Sequence, residues 1–175
     1  MAVKLEGAIA LRKALRKFEP DLSKEVQREM ASFLKPVVRE ARGFLPNDGS
    51  IISNWSIKNA KETNRFPAYN FALAKRGITY KTTPSKANRR GFRALASIFN
   101  KTAGGAIYET AGRKNSNSVF VRNLEAKYPS KMVGKDKMQG RAMFRAYEEN
   151  EGKAQDGVIR AIEKAARNFR GATIV

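Results

Sequence analysis

The feature that most constrains the fold is a long run of apolar residues, spaced by threes and fours, in the first third of the chain. Its members are Leu22, Val26, Met30, Phe33, Leu34, Val37, Val38, Ala41 and Leu45. This spacing places them on one side of a helix, and the carboxylate of Asp21 is positioned to cap the helix start. Pro36 removes one backbone donor, which predicts a kink or a break near Ser32 or Phe33. A helix with such an apolar side needs another layer to cover it.

Two further segments have the same helical period. Apolar residues alternate with cations in a short amphipathic run over residues 3–18, which Pro20 ends. A long periodic run begins near Phe144 and continues to Phe169, with Gly171 as its end. We therefore predict N-terminal helices within residues 3–45 and a C-terminal helix over residues 144–170.

The middle of the chain has a shorter period. The segments "NWSIKNAK", "GITYKTT" and "FRALASIFN" alternate in polarity, as half-buried strands do. The segment "FPAYNFALAKRG" is either an irregular connection or a short helix. We predict an α+β fold in which two long helices pack on a small antiparallel sheet of three to four strands within residues 51–112.

A long polar segment follows the predicted sheet. Residues 113–137 are rich in basic side chains and contain Pro129 and Gly134, so we predict an extended basic loop excursion there. The whole chain of 175 residues is the size of one domain, and we expect residues 1–175 to form a single domain.

The charge of the chain is unbalanced and concentrated. There are 35 Lys and Arg against 16 Asp and Glu, a net charge of +19. Between Lys75 and Arg145, 17 basic residues face only three acids, Glu109, Glu125 and Asp136. This excess predicts an acidic partner, which can be DNA or RNA, an anionic membrane or an acidic protein face.

The composition excludes several kinds of chemistry. The chain has no Cys and no His, so it has no disulfide, no thiolate nucleophile and no His-based triad. A catalytic carboxylate usually needs a second acid or a metal, and Glu109 has neither nearby in sequence; we expect it to pair with an arginine instead. We predict no enzyme activity, no cofactor and no metal site.

The N-terminal segment also lacks a targeting signal. Glu6, Arg12 and Lys13 interrupt its apolar run, so it does not read as a signal peptide. No segment approaches the roughly 20 apolar residues of a membrane span. We expect a protein of the producing cell's cytoplasm with no membrane partner.

Several residues are candidates for specific roles. Phe92 and Phe99 either stack on nucleic-acid bases or belong to the core, and Trp55 is predicted to be a core anchor. The segment "TAGGAIYETAG" lacks the spacing and the lysine of a phosphate loop, so Gly104, Gly105 and Gly112 are interpreted as turn or hinge positions. The candidate contacts to partner subunits or to DNA are Lys86, Arg89, Arg90, Arg93, Arg113, Lys114, Arg122, Lys127, Lys131, Lys135 and Lys137.

The order of these parts resembles the neck or tail-completion proteins, also called minor tail components, of lambda-like and related siphophages. The resemblance extends over most of the chain and rests chiefly on "AIYETAGRKN" and "FRAYEENEGKAQDGVIRAIEKA". The sequence departs from the family at the turn, where residues 110–113 replace an aromatic followed by Gly-Thr, and at Met143, where the family often has Pro.

The resemblance implies a non-enzymatic structural protein of the virion, assembled in the host cytoplasm. It implies a homo-oligomeric ring of six or twelve copies at the head-to-tail junction. Neighbours would be head-completion, terminator or tail-tube proteins, with non-specific contact to packaged DNA. The alternatives are a tail terminator or minor tail protein, or a nucleic-acid-binding accessory protein. An enzyme acting on nucleic acid would need gathered carboxylates, and the spacing of Asp48 and Glu62 is unconvincing for that.

Overall fold

The computed structural model describes residues 7–48, 52, 55, 67–113, 118–133 and 138–172. The chain is α+β, and the described residues form six helices and four short strands. In chain order these are α1 (Ala8–Phe18), α2 (Pro20–Gly43), α3 (Phe71–Gly77), β1 (Ile78–Lys81), β2 (Ser97–Asn100), α4 (Ala103–Thr110), α5 (Val119–Lys127), β3 (Lys131–Val133), β4 (Met138–Gly140) and α6 (Met143–Ala172).

The chain divides into two compact units. Unit 1 contains Met1–Pro36, Tyr80–Ile98 and Asn150–Val175, and unit 2 contains Val37–Thr79 and Phe99–Glu149. The division falls within α2 and α6, so each long helix contributes to both units. The expectation of one domain for residues 1–175 stays a prediction.

The core of unit 1 is built by α1, the first part of α2, the last part of α6 and two residues immediately before β2. Its buried residues are Ala8, Leu15, Val26, Met30, Leu34, Leu95, Ala96, Val158, Ala161, Ile162 and Ala165. The helical spacing of the members in α1, α2 and α6 confirms the helical periods predicted from the sequence. Gly157 lies directly against the ring of Phe33, so the absence of a side chain lets α2 and α6 approach closely in this unit. At the surface, Lys164 bridges Glu25 and Glu29 at 3.3 and 2.8 Å.

Helix α2 continues through Pro36. The predicted break is therefore wrong, while a kink stays a prediction. Buried side chains stand on both sides of the proline, Leu34 before it and Val37 after it, and their burial stabilises the helix against the loss of one backbone bond. Pro20 is the first residue of α2, where a missing amide costs nothing, so Asp21 lies within the first turn rather than at the cap.

The strands form two separate pairs. β1 pairs with β2, and β3 pairs antiparallel with β4 in the register Lys131↔Gly140, Met132↔Gln139 and Val133↔Met138. A single sheet of three to four strands is thus not confirmed among the described residues. "FRALASIFN" enters its strand only at Ser97, because the preceding residues belong to a hydrogen-bonded loop. Most of "NWSIKNAK" lies outside the described residues, and Trp55 within it is not in a strand.

Residues 113–137 contain regular structure, so the extended loop is not confirmed. Ser118 caps α5 by accepting a bond from the Val121 amide at 3.3 Å, and Leu124 buries the inner side of that helix. β3 follows, while residues 114–117 and 134–137 lie outside the described part of the chain.

The other helices agree with the predictions made from the sequence. Within "FPAYNFALAKRG" the short-helix alternative is confirmed: α3 begins after Asn70, whose side chain accepts a bond from the Leu73 amide at 2.9 Å. The C-terminal helix predicted over residues 144–170 is confirmed as α6, and α1 and α2 confirm the helices predicted within residues 3–45.

Candidate basic interface

Four of the predicted basic residues lie in one loop of unit 1. We call residues 80–98 the basic arm; it contains the loop between β1 and β2 together with the adjoining strand residues. Its cations are Lys81, Lys86, Arg89, Arg90 and Arg93, and it has no Asp or Glu. All five are exposed. The arm is thus a concentrated source of positive charge.

The tip of the arm is a turn organised by Asn88. The Asn88 side-chain oxygen accepts bonds from the amides of Arg90 and Phe92, both at 2.9 Å. The Asn88 amide donates to the Phe92 carbonyl at 2.8 Å, and the Gly91 amide donates to the Asn88 carbonyl at 2.9 Å. Gly91 has φ 75°, which a residue without a side chain adopts at little cost. This turn fixes the backbone that carries Arg89 and Arg90.

A second set of bonds closes the arm below the tip. The Ser85 amide donates to the Ala94 carbonyl at 2.8 Å, and the Ala94 amide donates to the Ser85 hydroxyl oxygen at 2.8 Å. The same hydroxyl donates to the Lys86 carbonyl at 2.9 Å. Lys86 and Arg93 therefore stand on opposite legs of the arm at a fixed position.

The stem of the arm is held by Arg12 of α1. The Arg12 Nη1 donates to the Leu95 carbonyl at 3.1 Å, and Nη2 donates to the Thr82 carbonyl. Nη1 also lies 3.6 Å from the sulfur of Met30. Arg12 is only 8% exposed, no carboxylate of a described residue pairs with its guanidinium, and burial lowers the pKa of Arg12. A single buried cation thus joins both legs of the arm to α1.

The four charges around the tip of the arm are not neutralised within the described part of the chain. Lys86, Arg89, Arg90 and Arg93 make no ion pair with any residue that the structure describes. Phe92 stands beside Arg93 with 36% of its surface exposed, so its ring is accessible. Phe99 is half-buried in β2, with the Lys101 ammonium 5.8 Å from its ring centre. Of the two aromatic candidates, only Phe92 is exposed together with the basic cluster.

The remaining basic candidates belong to unit 2 or lie outside the described residues. The Arg113 guanidinium lies 4.7 Å from the ring centre of Phe144, and Arg122 and Lys127 are exposed on α5. Lys131 is in β3. Lys114, Lys135 and Lys137 lie outside the described residues. A role for this group at an interface stays a prediction.

The glycine positions differ from their predicted roles. Gly104 and Gly105 lie in the first turn of α4, whose cap is Thr102, and not in a turn out of the strand. Gly105 faces the side-chain amide of Asn100 so closely that a methyl group would overlap it, which explains the need for Gly there. Gly112, with φ 91°, does lie in a turn after α4.

Glu109 has a structural partner that the sequence did not indicate. Its carboxylate accepts bonds from the amides of Ala142, Met143 and Phe144 at 2.8, 3.1 and 3.0 Å. These are amides at the start of α6, where free donors and the helix dipole favour a negative charge. No arginine that the structure describes forms an ion pair with Glu109, so the predicted pair is not found among these residues; the buried carboxylate caps a helix instead.

Arg141, immediately before this cap, closes two helix ends in unit 2. Its Nη1 donates to the carbonyls of Tyr108 and Ala111 at 2.9 and 2.8 Å, and its Nε donates to the Tyr128 carbonyl at 2.8 Å. Nη2 pairs with Glu125. Burial lowers the pKa of Arg141, while the charge of Glu125 acts in the opposite direction. With only 2% of its surface exposed, Arg141 is a structural residue and not a partner-binding one.

Unit 2 also contains a cluster of aromatic side chains around Trp55. The Trp55 ring centre lies 5.0 Å from that of Tyr69 and 5.2 Å from that of Phe120. The Trp55 indole donates to the Pro67 carbonyl at 2.8 Å, and 5% of the residue is exposed. The prediction that Trp55 is a core anchor is confirmed.

The sequence contained partial signals for the residues that were missed. Arg12 falls between Ala8 and Leu15 on the apolar side of α1, a position where a cation needs buried acceptors. The pattern of Asn88 followed by Gly91 is typical of a side-chain-stabilised turn. No spacing rule connects Arg141 with its three carbonyls.

Comparison of the chain with protein-family models, with curated proteins and with solved structures finds no match. Among the described helices, none has a stretch long and apolar enough to cross a membrane. Within the same residues, no three acidic side chains gather in a way that could hold a metal ion.

Proposed function

We propose that this protein is a non-enzymatic structural subunit of a bacteriophage virion, a ring-forming neck or tail-completion protein at the head-to-tail junction. The resemblance of "AIYETAGRKN" and of the closing helix to that family suggests the setting. The observation that carries the proposal is the basic arm, a loop of fixed backbone with four cations that have no partner among the described residues. Such a loop is suited to holding a charged partner.

The charge of the subunit bears on how a ring would form. A chain with a net charge of +19 repels its own copies, and this repulsion is strongest at low salt. A ring of six or twelve copies therefore needs a source of negative charge, either acidic faces on head-completion, terminator or tail-tube proteins or DNA in the channel. We expect assembly to depend on that partner.

The first experiment measures the mass of the purified protein in solution at low and moderate salt, alone and with extracts of particles that lack it. A ring-sized species, or one that forms only with particles, supports the proposal. A protein that stays monomeric in every condition, together with normal joining of heads and tails in its absence, refutes it.

A nucleic-acid-binding accessory protein is the second candidate. Phe92 favours it, since an exposed ring beside Arg93 is typical of surfaces on which bases stack. This candidate predicts binding to single strands that weakens as the salt concentration rises, because displaced counterions drive it, and to which stacking on Phe92 contributes. Loss of that binding in Phe92→Ala, with unchanged binding in Phe71→Ala, would support it.

A further inference from the structure

We propose that the basic arm binds the sugar-phosphate backbone of double-stranded DNA, and that Arg12 and Asn88 hold it in the binding conformation. The inference deepens the proposed function: its place in the virion rests on that function, but the binding itself does not. The ligand is recognised through its phosphates, without base readout.

The first support is the kind of charge that the arm carries. Three of the four cations around the tip are arginines, whose planar guanidinium groups donate two parallel bonds to one phosphate. Lys86 and Arg93 lie on opposite legs, and Arg89 and Arg90 lie at the tip between them. A nucleic acid offers regularly repeated anions to such a row.

The second support is the fixed backbone of the arm. Asn88, Gly91 and Ser85 hold the backbone of the loop through hydrogen bonds within it. Arg12 then ties the Thr82 and Leu95 carbonyls, one on each leg, to α1. Because the loop is already ordered, little conformational entropy is lost when a ligand binds, and that raises affinity without any new contact.

The third support separates DNA from a protein partner. The centres of protein interfaces are rich in aromatic and apolar groups, and among charged residues only arginine is enriched there. The arm has one exposed large apolar side chain, Phe92, and five exposed cations. Its chemistry therefore fits a polyanion better than an acidic protein face.

The test is binding of the full-length protein to a fluorescent DNA duplex of about 20 base pairs, followed by anisotropy between roughly 0.05 and 0.3 M salt. Each phosphate contact contributes about −0.9 to the slope of log affinity against log salt. Arg89→Gln/Arg90→Gln should therefore lessen the slope by about 1.8 and weaken binding about 60-fold at 0.1 M salt. The matched control, Arg28→Gln/Lys35→Gln, removes the same charge from exposed positions of α2 in the same unit.

Two further variants test the fixed conformation without changing any charge of the arm. Asn88→Ala removes the two bonds that the Asn88 side chain accepts in the turn and should weaken binding a few-fold to about ten-fold with an unchanged salt slope. Arg12→Met should also weaken binding with an unchanged salt slope, because the Thr82 and Leu95 carbonyls lose the donor that ties them to α1. Far-UV circular dichroism verifies that each variant is folded. Unchanged affinity in Asn88→Ala would overturn the role of the fixed loop.

The remaining outcomes all bear on the proposal. Equal losses in the arm variant and in the α2 control would overturn it, since the attraction would then belong to the whole protein. Stronger binding to a single strand, or equal binding to poly-glutamate, would overturn the assignment to duplex DNA. A ring that assembles normally but ignores DNA refutes this inference alone. A protein that binds DNA through the arm but stays monomeric in every condition, with heads and tails joining normally in its absence, refutes only the proposed function.

Discussion

Arg141→Met tests whether a buried arginine closes the helix ends of unit 2. The substitution keeps an unbranched apolar stem but removes the donors to the carbonyls of Tyr108, Ala111 and Tyr128. Each buried acceptor left without a partner costs about 1–3 kcal/mol, whereas the partly exposed Glu125 can turn to water. Removal of a buried charge offsets part of this cost, so we expect a loss of about 3–6 kcal/mol in the free energy of unfolding.

Trp55 is the natural reporter for this experiment. It is the only tryptophan, and it lies buried in unit 2, so urea unfolding followed by its fluorescence measures the stability of that unit. Small proteins have a total stability of about 5–15 kcal/mol, and we expect the midpoint to fall by roughly 2 M urea or more.

The control for Arg141→Met is a second arginine in unit 2. Arg122→Met removes an exposed guanidinium from α5 and should change stability by no more than about 0.5 kcal/mol. Arg141→Lys should give an intermediate value, because one ammonium cannot reach all the acceptors. If the Arg141→Met variant were as stable as the control, the conclusion that the hydrogen bonds of Arg141 stabilise unit 2 would be refuted.

Three other perturbations have defined outcomes. Glu109→Gln exchanges charge-assisted bonds for neutral ones and places an amide donor against backbone amides. Urea unfolding followed by Trp55 fluorescence should therefore show a loss of about 2–4 kcal/mol in the free energy of unfolding. An unchanged urea midpoint would contradict the role of Glu109 as a helix cap. A Gly→Ala substitution inside a helix normally raises the free energy of unfolding by about 1 kcal/mol. In Gly157→Ala the added methyl group meets the ring of Phe33, so thermal unfolding should instead show a net loss of about 1–3 kcal/mol. A raised melting temperature would disprove the close approach. Burial raises the pKa of Tyr69 and Tyr108, so the stability they confer is complete below their unfolded pKa of about 10 and falls as the pH rises toward the folded-state values. Phenolate absorbance should therefore show two tyrosines that ionise only as the protein unfolds, and simple titration of all five near their ordinary pKa would exclude this burial.

The helices were predictable because their signals are local. The spacing of residues such as Val26 and Met30 directly encodes which side of α2 is buried. The strands were harder, since pairing depends on contacts between distant residues. "FRALASIFN" alternates throughout, yet the turn at Asn88 extends the loop and leaves only Ser97–Asn100 in the strand.

The candidate site was predictable in part for the same reason. The cluster of Arg89, Arg90 and Arg93 is visible in the sequence as a run of like charges without an acid. The bonds of Arg12 to Thr82 and Leu95 reach backbone carbonyls, which every residue possesses, so no residue type marks them as partners. Glu109 showed the opposite difficulty: an acid in a basic region suggested an ion pair, but backbone amides compete well for a buried carboxylate.

The discontinuous make-up of unit 1 has a consequence for how the protein is made. Leu15 belongs to the same core as Val158 and Ile162, which are synthesised only after the core residues of α1, α2 and the segment before β2. At about 5–20 residues per second, α1 and the first part of α2 wait on the order of ten seconds for α6 to cover them. During that interval the apolar sides of two helices are open to wrong partners, so the nascent chain should be a substrate for holding chaperones.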